Sequence, residues 1–96
     1  MTSDFFLIEP CSSANGLEIK FRGKNIDLKK LSVLIDAQGV CGASTSVVLL
    51  GKIDDFEISA YASGRIMVKS PKKSKKQISD FCAEFAMKLN GSNCLI

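Results

Sequence analysis

Five lysines lie within eight consecutive residues near the end of the chain, and no acidic residue stands among them. This lysine segment carries a charge of +5, whereas the rest of the 96-residue chain sums to −2. Clustered ammonium groups hold phosphates, and free amides at the start of a helix add to the attraction of anions. A solvated loop that keeps the protein in solution explains the same residues equally well. The segment contains Lys69, Lys72, Lys73, Lys75 and Lys76.

A tyrosine and an arginine flank the turn signal Ser63-Gly64 of a predicted hairpin. Strand alternation places Tyr61 and Arg65 on the same face as Lys69, where a ring and a guanidinium can contact bases or sugars. A cross-strand aromatic that stiffens the sheet is the alternative, and for one tyrosine we favour it. We predict a nucleic-acid site, for DNA or RNA, formed by Tyr61, Arg65 and the lysine segment.

Residues suited to catalysis are scarce. The chain has no histidine, which excludes histidine-based acid/base catalysis, histidine metal ligation and a histidine-dependent triad. Asp54, Asp55 and Glu57 form the one acidic cluster, and their position suits a turn better than a metal site. No base stands near Cys41 to activate its thiol. We predict no enzymatic activity, no catalytic residues, no metal and no cofactor.

The cysteines bear on the compartment. Cys11, Cys41, Cys82 and Cys94 are separated by 30, 41 and 12 residues without a paired motif, which argues against a zinc site. The start of the chain has no basic residues ahead of its short apolar run, so it resembles a strand rather than a signal peptide. No apolar run approaches the roughly 18 residues that span a bilayer. We expect a soluble, reduced, cytoplasmic protein without a membrane partner.

The elements that must position these residues follow from periodicity. Residues 17–22 alternate as a strand, Asp27 caps a helix that stops at Gly39, and residues 45–50 form a continuous apolar strand followed by a turn over 52–55. Residues 57–62 and 65–69 form a hairpin with one core face and one open face. Ser74 and Gln77 form a capping box before the last amphipathic helix, which Gly91 closes.

This order predicts one domain over residues 1–96. Its fold class is α+β, a two-layer sandwich in which an antiparallel sheet, in the order β-α-β-β-β-α, carries two helices on one face. An extra N-terminal strand over residues 5–8 is left open.

Residues 25–91 also carry a family resemblance. The run Ala60-Tyr61-Ala62-Ser63-Gly64-Arg65-Ile66-Met67-Val68 precedes lysines and a helix ending Lys88-Leu89-Asn90-Gly91, while Ile26-Asp27-Leu28-Lys29-Lys30 opens the first helix. This order resembles one half-repeat of the TATA-box-binding protein. The resemblance implies that family's fold and places Tyr61 where the family has an aromatic that wedges between base steps, with Met67 and Lys69 on the same surface. The predicted open face departs from the family's apolar one by carrying Glu18, Lys20, Arg22, Glu57 and Arg65.

A protein-interaction module is the competing hypothesis. A small sheet with free edges can pair with a protein partner or form a homodimer, and dimerising subunits of larger complexes such as KEOPS have a similar succession of elements. Steep salt dependence of binding indicates the nucleic-acid binder, and a concentration-dependent mass indicates the module.

Overall fold

The computed structural model describes residues 5–10 and 16–96. Within these residues six strands form one antiparallel sheet in the order β1-β2-β6-β5-β4-β3. The elements along the chain are β1 Phe6–Pro10, β2 Gly16–Phe21, α1 Leu28–Gln38, β3 Val40–Ser44, β4 Val48–Ile53, β5 Phe56–Tyr61, β6 Arg65–Lys69 and α2 Lys75–Gly91.

Both helices cover the same face of the sheet. α1 packs on β3 and β4, and α2 packs on β1, β2 and β6. The apolar stripes of the helices meet the inward side chains of the strands, and each such side chain contributes about 1.5–3 kcal/mol by leaving water. The α+β two-layer sandwich is therefore confirmed, and the strands that alternation predicts lie at its centre. Its fully buried residues include Ile19, Ile35, Ile58, Ile66, Ile78 and Leu89.

Polar caps start both helices where the sequence predicts them. The Asp27 carboxylate accepts from the backbone N–H groups of Lys29 and Lys30 at 3.1 and 3.2 Å. The Ser74 hydroxyl accepts from the Gln77 N–H at 3.2 Å, and the Gln77 side chain accepts in return from the Ser74 N–H at 2.9 Å. Each cap stabilises its helix by about 1 kcal/mol.

The strand predicted over residues 45–50 is wrong in its bounds. Two strands, β3 and β4, flank a turn at Thr45, whose side-chain oxygen accepts from the N–H groups of Val47 and Val48 at 3.2 and 3.0 Å. Local side-chain hydrogen bonding at this threonine outweighs the β preference of the apolar run. The sheet thereby gains β3, a strand absent from the predicted order, at one edge.

Two further boundaries follow from the same shift. β4 continues through Lys52 to Ile53, so the predicted turn over 52–55 shrinks to Asp54 and Asp55, with Asp54 at a φ of 52°. The extra N-terminal strand is present as β1. At the hairpin between β5 and β6, Gly64 has a φ of 104°, and a Cβ there would collide with the carbonyl oxygen of Lys24. This turn therefore requires glycine.

Candidate nucleic-acid interface

The sheet face opposite the helices is the open face, and the strand register orders its side chains into rows. One row runs from Glu18 on β2 through Met67 and Ser59 to Leu50 and ends beside β3. A second row pairs Lys20, Arg65, Tyr61 and Val48 across the same strands. In these two rows, charged residues occupy the β1–β2 side of the open face, and apolar residues occupy the β4–β3 side.

At one end of the sheet, where β4 and β6 finish, six lysines gather. The register places Glu57 between Lys52 and Lys69, the segment after β6 brings Lys72 and Lys73 to Asp55 in the turn between β4 and β5, and Lys75 and Lys76 follow in the first turn of α2. With the three acids Asp54, Asp55 and Glu57, this lysine end keeps a net charge of +3. The lysine end is defined as Lys52, Lys69, Lys72, Lys73, Lys75 and Lys76.

Two lysines share one acid at this end. The ammonium groups of Lys72 and Lys73 each lie 4.0 Å from a carboxylate oxygen of Asp55. Because the Lys72 side chain is 75% exposed, solvent and salt weaken this pairing, and its contribution to stability is small. A phosphate group therefore competes readily for these ammonium groups.

The first turn of α2 presents Lys75 and Lys76, both exposed, and contains no acidic residue. Neither lysine forms an ion pair with any residue of the described ranges. Positive charge next to the positive end of a helix dipole is unfavourable by about 0.3–1 kcal/mol for each residue. An anion bound at this turn removes that penalty.

Tyr61 and Arg65 are brought together by the hairpin. They are cross-strand neighbours, and the Arg65 guanidinium carbon lies 5.1 Å from the centre of the Tyr61 ring. Arg65 Nε also lies 3.8 Å from a carboxylate oxygen of Glu18, so the guanidinium sits between the ring and an acid. A base cannot stack on the side of the ring that Arg65 covers, and there the exposed plane is the guanidinium itself.

The charged side of the open face is largely self-neutralised. Lys20 Nζ lies 3.2 Å from a carboxylate oxygen of Glu9 and 3.7 Å from one of Glu18. The same Glu18 oxygen also pairs with Arg65. The charges alternate in sign from β1 across to β6. An acid that already has two cationic neighbours repels phosphate less than an isolated one does.

The seven predicted site residues fall into two groups. Arg65 and Lys69 stand at opposite ends of β6, about 13 Å apart along the strand. Tyr61 and Arg65 form one group, and the lysine segment forms the other, with Met67 and Ser59 between them. Lys52 is absent from the predicted site because the sequence predicts a turn over residues 52–55. Its alternation with Leu50 along β4 is the signal that identifies it as an open-face residue.

The thiols and the possible metal ligands of the described residues lie outside these two groups. Among residues 5–10 and 16–96, no group of three histidine, cysteine or acidic side chains could hold a metal ion. Burial raises the pKa of Cys82 to about 12, and burial together with the nearby Asp27 charge raises the pKa of Cys94. These thiols stay protonated at neutral pH. Cys11 lies outside the described residues.

Neither helix within the described ranges is long and apolar enough to cross a bilayer.

The chain was also compared with protein-family models, with curated proteins and with solved structures, and none of the three comparisons finds a match.

Proposed function

We propose that this chain is a non-enzymatic binding module that holds nucleic acid with low sequence specificity. One observation supports the proposal most: six lysines converge at one end of the sheet, and two of them occupy a helix first turn that contains no acid. The lysine end supplies affinity for phosphates, and the Tyr61–Arg65 stack contacts a base or sugar.

The geometry favours a flexible strand over a rigid duplex. A single strand that follows β6 from the lysine end reaches Arg65 after about 13 Å, a path of two or three nucleotides. The open face presents one tyrosine and no row of aromatics along this path, so sequence readout is weak. Binding then depends on phosphate contacts and on salt.

Two finer points belong to the same proposal. A fold of the TATA-box-binding-protein type is supported by the order of hairpin, lysine-containing turn and long helix, and by Tyr61, Met67 and Lys69 lying on the open face. A cytoplasmic location is supported by the thiols of Cys82 and Cys94, which are free and buried, as suits a reducing compartment.

A salt titration tests the proposal. Binding of a fluorescent single-stranded RNA is measured by anisotropy at about 50 and about 200 mM salt, a range over which phosphate-driven binding weakens steeply. Changing Lys72, Lys73, Lys75 and Lys76 together to alanine is expected to flatten the salt slope by about 0.7 for each phosphate that is no longer neutralised, because fewer counterions are released. The thermal midpoint is expected to hold or to rise slightly, because these side chains are partly or fully exposed and the loss of Lys75 and Lys76 removes positive charge from the helix start.

A matched variant controls for net charge. Lys24, Lys29, Lys30 and Lys88 are exposed and lie outside the lysine end, so their replacement by alanine removes the same charge from elsewhere. This control is expected to keep nearly the whole slope. An unchanged slope in the lysine-end variant, or an equal reduction in both variants, removes the lysine end from the proposal.

A second candidate function, protein interaction, is favoured by a different observation. The apolar edge, defined as Val40, Ala43, Val47 and Leu50 around β3, is exposed to solvent and carries no charge. Val40 and Val47 are 67% and 64% exposed. Contiguous exposed apolar residues at a sheet edge mark contact surfaces for other chains. A mass that rises with concentration tests this function.

A further inference from the structure

The two edges of the sheet differ in how they are protected against pairing with another strand. β1 carries Glu9 and ends at Pro10, a charge and a proline of the kind that blunts an edge. β3 has the sequence Val-Cys-Gly-Ala-Ser, with neither device, and no described strand lies beyond it. β3 is the edge that remains open to addition.

The hydrogen-bond pattern of the β3–β4 hairpin shows where a new strand can pair. Thr45 N–H donates to the Val48 carbonyl at 2.8 Å and the Val48 N–H donates to Thr45 Oγ1 at 3.0 Å, so the backbones of these two residues face each other as a hydrogen-bonded pair does. Antiparallel ladders alternate, and the next pair, Ser44 opposite Leu49, is therefore the non-bonded kind. Consequently both the N–H and the carbonyl of Ser44 point away from β4, towards the open side of the edge.

The first half of β3 is less accessible to an added strand, because the Asp36 side chain already bonds its backbone. The Cys41 N–H donates to an Asp36 carboxylate oxygen at 3.2 Å, and the register shifts between Cys41 and Ala43. The Asp36 carboxylate and the bulge leave the first half of β3 without a regular row of open groups. An added strand is thus restricted to the second half, around Ser44.

The chemistry of this edge fits a second copy of the chain. One residue that offers both an N–H and a carbonyl outward can exchange both bonds with its own equivalent across a twofold axis. Since β3 is uncharged, two identical edges meet without the like-charge repulsion that two β1 edges would suffer. The exposed Val47 and Leu50 near Ser44 add apolar contact on both sides of the axis.

We infer that two copies of this chain pair antiparallel through β3, with Ser44 of one copy opposite Ser44 of the other, to form a continuous twelve-stranded sheet. The inference rests on the second candidate function, protein interaction at the apolar edge. It leaves both lysine ends exposed, so the dimer displays two sites for nucleic acid.

Sedimentation velocity over a wide range of loading concentrations tests the inference. The wild-type chain is expected to shift from 10.4 kDa to twice that mass as concentration rises. Ser44→Pro removes an N–H that does not bond β4, and is expected to weaken the dimer about tenfold or more, because the two intersubunit bonds no longer form. Ser44→Ala, which keeps the N–H, is the matched control and remains dimeric.

A second pair of variants guards against misfolding of the proline variant. Ala43→Lys places a charge beside the twofold axis and is expected to abolish the dimer, whereas Ala43→Gln, of similar length but neutral, retains it. Circular dichroism confirms that each variant is folded. A dimer that survives both Ser44→Pro and Ala43→Lys overturns the inference.

Two further outcomes distinguish strand pairing through β3 from protein interaction at the apolar edge in general. A dimer that is abolished in Leu50→Gln but kept in Ser44→Pro and Ala43→Lys overturns strand pairing and retains the apolar edge as a contact surface. A wild-type chain that stays monomeric at every concentration overturns both the pairing and self-association through this edge.

Discussion

The lysine end and the apolar edge lie on the same sheet but depend on different levels of structure. Most residues of the lysine end are close together in the sequence. Folding brings Lys52 to them and places Asp55 beside Lys72 and Lys73. The apolar edge exists only through the register, because β3 and β4 bring Val40, Ala43 and Leu50 together. About 14 Å of sheet separates Lys69 on β6 from β3, and the two surfaces meet only at Lys52, whose cross-strand partner is Val40.

The two surfaces differ in how precisely their binding groups must be placed. Exposed ammonium groups act at a distance and tolerate loose placement, so a segment without regular structure can hold them. Strand pairing needs donors and acceptors in fixed positions, which β3 provides only around Ser44. A charged ligand therefore suits the first surface, and a strand suits the second.

The largest expected effect comes from reversing charge at the α2 first turn. Lys75→Glu with Lys76→Glu should weaken single-stranded RNA binding about a hundredfold at low salt, because phosphate contacts become repulsive. The same pair should stabilise the fold by about 1–2 kcal/mol, since acids suit a helix N-terminus. Anisotropy and thermal unfolding measure the two changes.

The first turn of α1 supplies the matched control. Lys29→Glu with Lys30→Glu makes the same charge change at a helix start that lies near the β3–β4 turn. This pair should raise stability similarly and change RNA affinity far less. Equal reductions of affinity in the two pairs would show that net charge alone governs binding.

The Tyr61–Arg65 stack is expected to matter less than the lysines. Tyr61→Ala should weaken single-stranded RNA binding about tenfold, because the ring positions the Arg65 guanidinium on which a base stacks, and a stacked base contributes about 1–3 kcal/mol. Duplex DNA binding should barely change, since paired bases are not free to stack. Tyr61→Phe keeps the ring and should bind as the wild type does. An unaltered RNA affinity in Tyr61→Ala would confine the ring to stiffening the sheet.

How far the sequence predicts these surfaces depends on the strength of local patterns. The capping box at Ser74 and the alternation in β5 and β6 agree with their final environments, so α2 and the hairpin are predictable. β3 has two small residues, a glycine and no alternation, and its extended form depends on pairing with β4. No local signal identifies such a strand.

Contiguity along the chain likewise decides which parts of the site the sequence predicts. The lysine segment is predictable because its charge is contiguous, whereas the Asp55 partnership depends on a loop meeting a turn across the fold. The apolar edge is not predictable, because the sequence predicts one continuous strand over residues 45–50. The side-chain hydrogen bonds of Thr45 form a turn there instead.

A buried thiol in the core is expected to lower the free energy of unfolding at alkaline pH. Cys82 has a pKa of about 12 in the fold against 9.0 when unperturbed. Between these values the unfolded chain releases a proton that the folded chain keeps, so stability falls as pH rises. The decrease is about 1 kcal/mol at pH 10. Urea unfolding at pH 8 and 10 should show a smaller pH-dependent decrease in Cys82→Ala. An identical decrease would place the sensitivity elsewhere.

The smallest expected effect concerns the acid that the lysines share. Asp55→Asn should strengthen RNA binding about twofold to threefold, because Lys72 and Lys73 lose a weak, solvent-screened partner. Asp54→Asn makes the same charge change in the same turn at an acid without an ion pair among the described residues, and should gain less. A larger gain from Asp54→Asn would contradict the pairing.

An amide NMR titration of the labelled chain tests whether the two surfaces bind different ligands. Short single-stranded RNA and duplex DNA are added in separate titrations, at about 50 and about 200 mM salt. Salt-sensitive shifts are expected at Lys52, along residues 69–76, and at Tyr61 and Arg65, while Ala43 and Ser44 respond only to the concentration of the chain itself. Nucleic-acid shifts centred on β3, or no shifts at low salt, would contradict the assignment of the lysine end to nucleic acid.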